Sequence, residues 1–397
     1  MSAAVARARE GDERLALIVW SAIAEATDEA AAWLVSELGA CEALAWLHDA
    51  GKDPVAATMR LAPGAPAQTV DKAVAAAERW LARLPHIDPV GDAQRADAVG
   101  ARVVTRVDDE WPAAFDDLGA RAPYALWVRG AGSLATLMAR TIAVVGSRAC
   151  TAYGAHVSAE IAAGASDAGW TVVSGGAYGI DAAAHRAALT GTAPTLAVMA
   201  GGVDRLYPAG HTDLLHEVMA RGVVVSEVPV GFAPHRSRFL ARNRLIAASA
   251  ATCVVEAASR SGALSTVHHA LALGRPVAAV PGPVTSTSSA GCHRLIRDGQ
   301  AVLVTDSRQV LELAGPIGPD PRLEVGEGFG SPQERAAFDA IRARGSRPDD
   351  IARGAGLGIG ETLTALAGLE IAGLACVVDG VWRRIEPSRR SHEKRTN

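Results

Sequence analysis

Lysine is nearly absent from this chain. Lys52, Lys72 and Lys394 are the only lysines among 39 basic residues, and the other 36 are arginines. Almost every cation is therefore a planar, permanently charged guanidinium. Cysteine is scarce as well. Cys41, Cys150, Cys253, Cys292 and Cys376 are widely scattered, with no Cys-x-x-Cys pair. That excludes a zinc ribbon or a disulfide framework and fits a reducing, cytoplasmic setting. Cys253, inside the apolar run Thr252–Val255, reads as core. No run of about 18 apolar residues occurs, so no membrane span is expected. The N-terminus lacks the apolar stretch and cleavage site of a signal peptide. His185, His268 and His269 fall in helical segments, but no His-Glu-x-x-His spacing is present, so no metal and no cofactor are expected.

What remains is the balance of a folded protein, 49% hydrophobic and 21% charged. A length of 397 residues exceeds one ordinary core, so two or three domains are expected. Acids outnumber bases, 43 to 39, for a net charge of −4. Taken alone, that count argues against nucleic acid as a partner. The charge is uneven, however: Pro234–Arg244 carries four arginines and no acid.

Residues 13–84 read as helical, with Leu15, Ile18, Val19 and Ile23 at helical spacing. The stretch 86–100 looks like a boundary. Strands are expected at 101–107 and 124–128. From there, short β-branched runs at 141–145, 171–174, 195–199, 222–226, 252–256, 276–280 and 301–304 alternate with helical segments. This is the pattern of an α/β fold with a doubly wound parallel sheet. Ligands in such sheets bind at the strands' carboxyl ends, near the switch point. Residues 313–333 read as a linker. Three helices and a hairpin turning at Asp379-Gly380 follow, the layout of a winged helix. The expected domains are therefore 1–90 (helical), 91–312 (the sheet), a linker at 313–333, 334–386 (winged helix) and a disordered basic tail, 387–397.

The strand-end loops carry the chemistry. Gly146 permits a sharp turn, and Ser147 and Arg148 supply a hydroxyl and a guanidinium for an anionic oxygen. No Gly-x-Gly-x-x-Gly is present there. In Ser174–Asp181, Gly175, Gly176, Ala177 and Gly179 form a loop whose amides suit phosphate. Asp181 is read in preference as a cap on the next helix. Gly201–Pro208 lies beside these loops, with Tyr207-Pro208 read as structural. Ser261, Gly262 and Thr266 suit a third phosphate cradle. Glu256 is either a catalytic acid or a partner orienting a nearby arginine. The second is preferred, because no matching base and nucleophile appear.

In the arginine-rich segment, a helix starting near Ser237 puts Ala241, Leu245 and Ala248 on one stripe. Phe239, Arg242, Asn243 and Ile246 fall roughly opposite. A ring beside guanidinium groups suits single-stranded nucleic acid, since the cation holds phosphate and the ring stacks on any base. The alternative is a core Phe239 with Arg236, Arg242 and Arg244 on a solvated face. The glycine loops from the same sheet edge favour binding.

In this order, the motifs resemble the DNA-processing protein A family, also called DprA or Smf. The resemblance spans about residues 101–308. It rests on Gly146-Ser147-Arg148, Ser174–Asp181, Gly201–Pro208, Phe239-x-x-Arg242-Asn243-Arg244-x-Ile246 and Ser261-Gly262-Ala263-Leu264-x-Thr266. It continues through Gly274-Arg275-Pro276-Val277, Ala279-Val280-Pro281-Gly282 and Gly291-Cys292-His293-Arg294-Leu295-Ile296. The resemblance implies an extended Rossmann-like domain that binds single-stranded DNA, a homodimer, and delivery of the strand to RecA, with no chemical reaction. His293 stands where the family often has Asn, and Leu240 where it often has Pro. The family's helix-hairpin-helix turn is replaced by Ile23-Ala-Glu-Ala-Thr-Asp, which removes the expectation of DNA contact there. The helix expected at 359–372 carries Glu361 and Glu370 and no cation, so contact with protein, or only weak contact with DNA, is expected of that unit. A transcription regulator working through this unit is disfavoured for the same reason. The alternative function is a nucleotide-acting phosphoribohydrolase of the lysine-decarboxylase-like type. There His269 replaces the catalytic carboxylate.

Overall fold

A computed structural model describes residues 3–61, 65–315, 332–342, 345–378 and 380–385. They belong to two units, Met1–Gly315 and Pro316–Asn397. Most of the expected linker and the whole expected tail lie outside the described residues.

In the first unit, nine strands form one sheet. They are β1 (Ala101–Thr105), β2 (Ala125–Gly130), β3 (Thr141–Val145), β4 (Thr171–Ser174), β5 (Thr195–Met199), β6 (Val223–Ser226), β7 (Ala251–Val254), β8 (Val277–Ala279) and β9 (Val302–Leu303). Their order is β1-β2-β6-β5-β4-β3-β7-β8-β9. The sheet is parallel from β6 to β9, with helical crossovers. It is not parallel throughout: β1 and β2 extend it antiparallel, β2 pairing with β6. The strands β3 to β8 are buried along their whole length, which is why they read as continuous apolar runs. Side chains still alternate between faces. Ala143 and Val145 join one core, and Ile142 and Val144 join the other. Cys253 is buried in that second core.

The chain steps from β3 through β4 and β5 to β6 in one direction, then crosses to β7, β8 and β9 on the other side of β3. The switch point is therefore between β3 and β7, where a crevice opens at the strands' carboxyl ends. The N-terminal helices pack around Trp20, Trp46 and Trp80. Ile18 from the same segment shares a cluster with Val103 and Trp127 of the sheet. Asp12 starts helix Glu13–Ile23 by accepting the Leu15 amide at 3.1 Å.

The second unit holds helices Pro332–Ala340, Pro348–Ala355 and Ile359–Ile371, then a hairpin of β10 (Ala375–Val378) and β11 (Val381–Arg384). Its core includes Ala337, Ile341, Ile351, Leu366 and Leu369.

Candidate functional site

A cavity of about 470 Å³ occupies the switch point. Four chain segments line it: Val145–Ala149 after β3, Ala177 and Asp181 after β4, Phe239–Ile246 of helix Arg236–Ala247, and Ser261–Thr266 after β7. Of the residues expected to bind, Gly146, Ser147, Arg148, Ala177, Phe239, Arg242, Asn243, Ser261, Gly262 and Thr266 line it together. Gly175, Gly176, Gly179, Arg236 and Arg244 do not.

The β3 loop is tight. A Cβ on Gly146 would come within 2.6 Å of Ile180 and 2.8 Å of the Glu256 carbonyl oxygen. The Ser147 amide donates to that same carbonyl at 2.7 Å. Arg148 is exposed, and its guanidinium lies 5.2 Å from the centroid of the Phe239 ring. Tyr207 touches the same ring at 5.6 Å, with 56° between planes, and is 46% exposed. Tyr207, expected to be structural, touches Phe239 and so belongs to this cluster. Its position in a glycine loop at a strand's carboxyl end was the available signal.

The glycine loop after β4 works differently from the expectation. The amides of Gly175 and Ala177 both donate to Asp181 Oδ2, at 3.2 and 3.3 Å. Two amides expected to cradle phosphate are therefore already paired with the chain's own carboxylate. Asp181 does not cap the helix: Gly179 stands at its N-cap position, and no side chain caps it. The glycines serve close approach instead. A Cβ on Gly175 would come within 2.5 Å of the Arg242 guanidinium. Gly176 and Gly179 have φ of +68° and +79°, which other residues adopt with strain.

Arg242 is buried. Its Nη1 donates to the carbonyl oxygens of Gly175, at 3.0 Å, and Val198, and its Nε donates to Asn243 Oδ1 at 3.2 Å. Burial draws its pKa down to about 10, opposed by the nearby Asp181, so it stays charged at neutral pH. Burial also pushes the Asp181 carboxyl upward, against the pull of Arg242 and the two loop amides. Arg242 therefore supplies positive potential from the cavity wall.

Arg244 departs from the expected role. It is 2% exposed. Nη1 and Nη2 meet Glu227 at 2.7 and 2.5 Å, and Nε donates to the Arg121 carbonyl at 2.7 Å. Two residues along a helix rotate a side chain by ~200°, so Arg242 and Arg244 leave the helix on opposite sides. Arg236 is exposed at the first turn, beyond the cavity. Arg238 pairs with Glu25 of the N-terminal helical segment at 3.1 Å.

Glu256 pairs with no arginine among the described residues, contrary to the preferred expectation. Its carboxylate accepts the Thr151 amide at 2.9 Å, the Thr151 hydroxyl at 2.7 Å and the Ser288 hydroxyl at 3.3 Å. It thus ties the end of β7 to helix Ala152–Asp167. Asn243 Nδ2 reaches the Gly262 carbonyl at 3.4 Å, holding the β7 loop to the arginine helix. His185 is fully buried, with Nδ1 at 2.8 Å from Thr195 Oγ1. That hydroxyl donates to the Val172 carbonyl, so the assigned proton sits on Nδ1. Among the described residues, no group of three or more His, Cys, Asp or Glu is placed to hold a metal ion. No single described helix is long and apolar enough to cross a membrane.

The class is thus an open, doubly wound α/β sheet with a guanidinium- and aromatic-lined crevice at its switch point. Residues 102–315 match the family described as DNA recombination-mediator protein A, and the chain belongs to that family. It is 51% identical over 300 residues to a putative DNA processing protein DprA of Mycobacterium tuberculosis, covering 72% of this chain and 77% of that one. It is 36% identical over 284 residues to the protein Smf of Escherichia coli, covering 69% and 75%. Its fold resembles the crystal structure of DprA from Streptococcus pneumoniae, with a TM-score of 0.54 and 36% identity, over 59% of this chain and 81% of that one.

Proposed function

We propose that this protein binds single-stranded DNA, without sequence preference, along the carboxyl edge of its sheet. In this account it protects the strand and helps load RecA. It acts as a homodimer in the cytoplasm and catalyses no reaction. The observation that carries the proposal is the Arg148 guanidinium 5.2 Å from the centroid of the half-buried Phe239 ring at the cavity, a cation close to a base-sized platform. Ser147, Asn243, Ser261, Gly262 and Thr266 add polar groups around them. Arg242 contributes its charge from behind. Arg244 serves the fold instead.

The phosphate contacts come from exposed arginines at this edge: Arg148, Arg236, and Arg205 and Arg260 in neighbouring loops. Four such contacts give a log–log salt slope of roughly −3, at about −0.7 per phosphate on single strands. The second unit, taken as a winged helix, has exposed Glu361 and Glu370 on its third helix, so it contacts protein in preference to DNA. Electrophoretic shifts with single-stranded and duplex DNA at graded salt test the proposal. Preference for the single strand with a steep slope is expected. A slope near zero, or preference for duplex, overturns it.

A further inference from the structure

Among the described residues, the exposed phenyl, phenol or indole side chains are Tyr153, Tyr178 and Tyr207, at 42%, 50% and 46% exposure. Each follows the carboxyl end of a strand: β3, β4 and β5 in turn. Tyr207 touches Phe239. Tyr178 stands edge-on to His211 at 4.5 Å, with 65° between planes. His211 follows Tyr207 by four residues and is itself fixed, its Nδ1 lying 3.0 Å from the Gly176 carbonyl oxygen. Tyr178 and Tyr207 therefore stand in the β4 and β5 loops, both open to water, with Tyr178 against His211 and Tyr207 against Phe239 of helix Arg236–Ala247. Tyr153 lies on the other flank, its hydroxyl donating to the Pro281 carbonyl after β8 at 2.7 Å.

We propose that Tyr207 and Tyr178 are further base-stacking stations, carrying a single strand from the Phe239 cavity across the β4 and β5 loops. This rests on the single-strand reading of the site given above. A braced phenol ring offers a flat apolar face with little ordering left to do on binding. Such a face accepts any base. The cation this path needs is present: the Arg205 side chain is 56% exposed in the same loop as Tyr207. Asp204, 4.0 Å from it, is itself tied to the Gly231 amide at 2.9 Å.

The test uses the full chain and oligothymidylates of increasing length. Tyr178→Ala should match the parent on the shortest oligomer that binds and lose roughly 5- to 100-fold on longer ones, while Tyr207→Ala, whose ring also touches Phe239, should lose affinity at every length and most on the longer oligomers. Tyr178→Trp and Tyr207→Trp should restore the long-oligomer affinity, because stacking needs a ring and not a hydroxyl. Unchanged affinity at every length overturns the proposal. So does an equal loss at every length, which marks a disturbed cavity. Loss on long oligomers in Tyr153→Ala alone also overturns it, since the strand then leaves toward β8. A parent that binds no oligomer fails the single-strand reading itself, a result distinct from these.

Discussion

The N-terminal helical segment and the carboxyl edge of the sheet use the same residue types in opposite ways. In the helical segment, Trp20, Trp46 and Trp80 are buried, and each indole N–H has a partner: the Ala40 carbonyl, the Ala57 carbonyl and Asp28. Its arginines are engaged as well, Arg83 with the Ile23 carbonyl at 2.8 Å and Arg14 with Asp108 at 3.1 Å. At the sheet edge, Tyr178 and Tyr207 face water, and Arg148 and Arg236 are exposed. The contrast continues within helix Arg236–Ala247, where Arg244 is enclosed by Glu227 while Arg236 projects outward. Counting cations therefore says little about binding. What matters is which of them the fold has already paired.

Arg244→Ala should break this distinction most visibly if the distinction is wrong. Removing the guanidinium leaves Glu227 as a buried, unpaired charge, a loss of about 3–5 kcal/mol in stability, readable by denaturant unfolding. A variant as stable as the parent that only binds DNA poorly would place Arg244 among the edge arginines. Phe239→Ala probes the other side. Its ring is half-buried at the cavity, so single-strand affinity should fall by about 1–3 kcal/mol while the unfolding midpoint hardly moves. Unchanged affinity would make Phe239 part of the core.

His185 sharpens the comparison from inside the sheet. Burial, with His211 and Arg242 nearby, holds its pKa down at about 3, from an ordinary 6.5. The folded state keeps it neutral, while the unfolded chain protonates it below its ordinary pKa. Between pH about 6.5 and about 3 the unfolded state therefore binds more protons, so stability drops as the pH is lowered, by up to ~1.4 kcal/mol per unit. His185→Gln should flatten this part of the pH profile of urea unfolding. An unaltered profile would mean that the imidazole titrates as freely as a surface group.

Much of this was legible in the sequence. The runs 141–145, 171–174 and 195–199 coincide with β3, β4 and β5, because strands buried on both faces admit few polar residues. The stripe Ala241, Leu245 and Ala248 is buried as its spacing requires. What escaped depends on partners remote in sequence. Nothing local tells that Arg244 meets Glu227, 17 residues earlier and just past the end of β6. A glycine-rich loop looks the same whether its amides await a phosphate or, as with Gly175 and Ala177, already hold Asp181. Tyr207 followed by Pro208 looks like a turn. Its ring becomes a surface feature because Phe239 arrives from a different element.

The central claim is that exposed edge arginines hold the strand while buried ones hold the fold. The most direct test is the salt dependence of single-strand affinity in Arg148→Ala beside the parent. Removing one exposed cation should leave stability within about 0.5 kcal/mol. The log–log slope should become shallower by about 0.7, one phosphate contact fewer. A slope identical to the parent's would contradict the account.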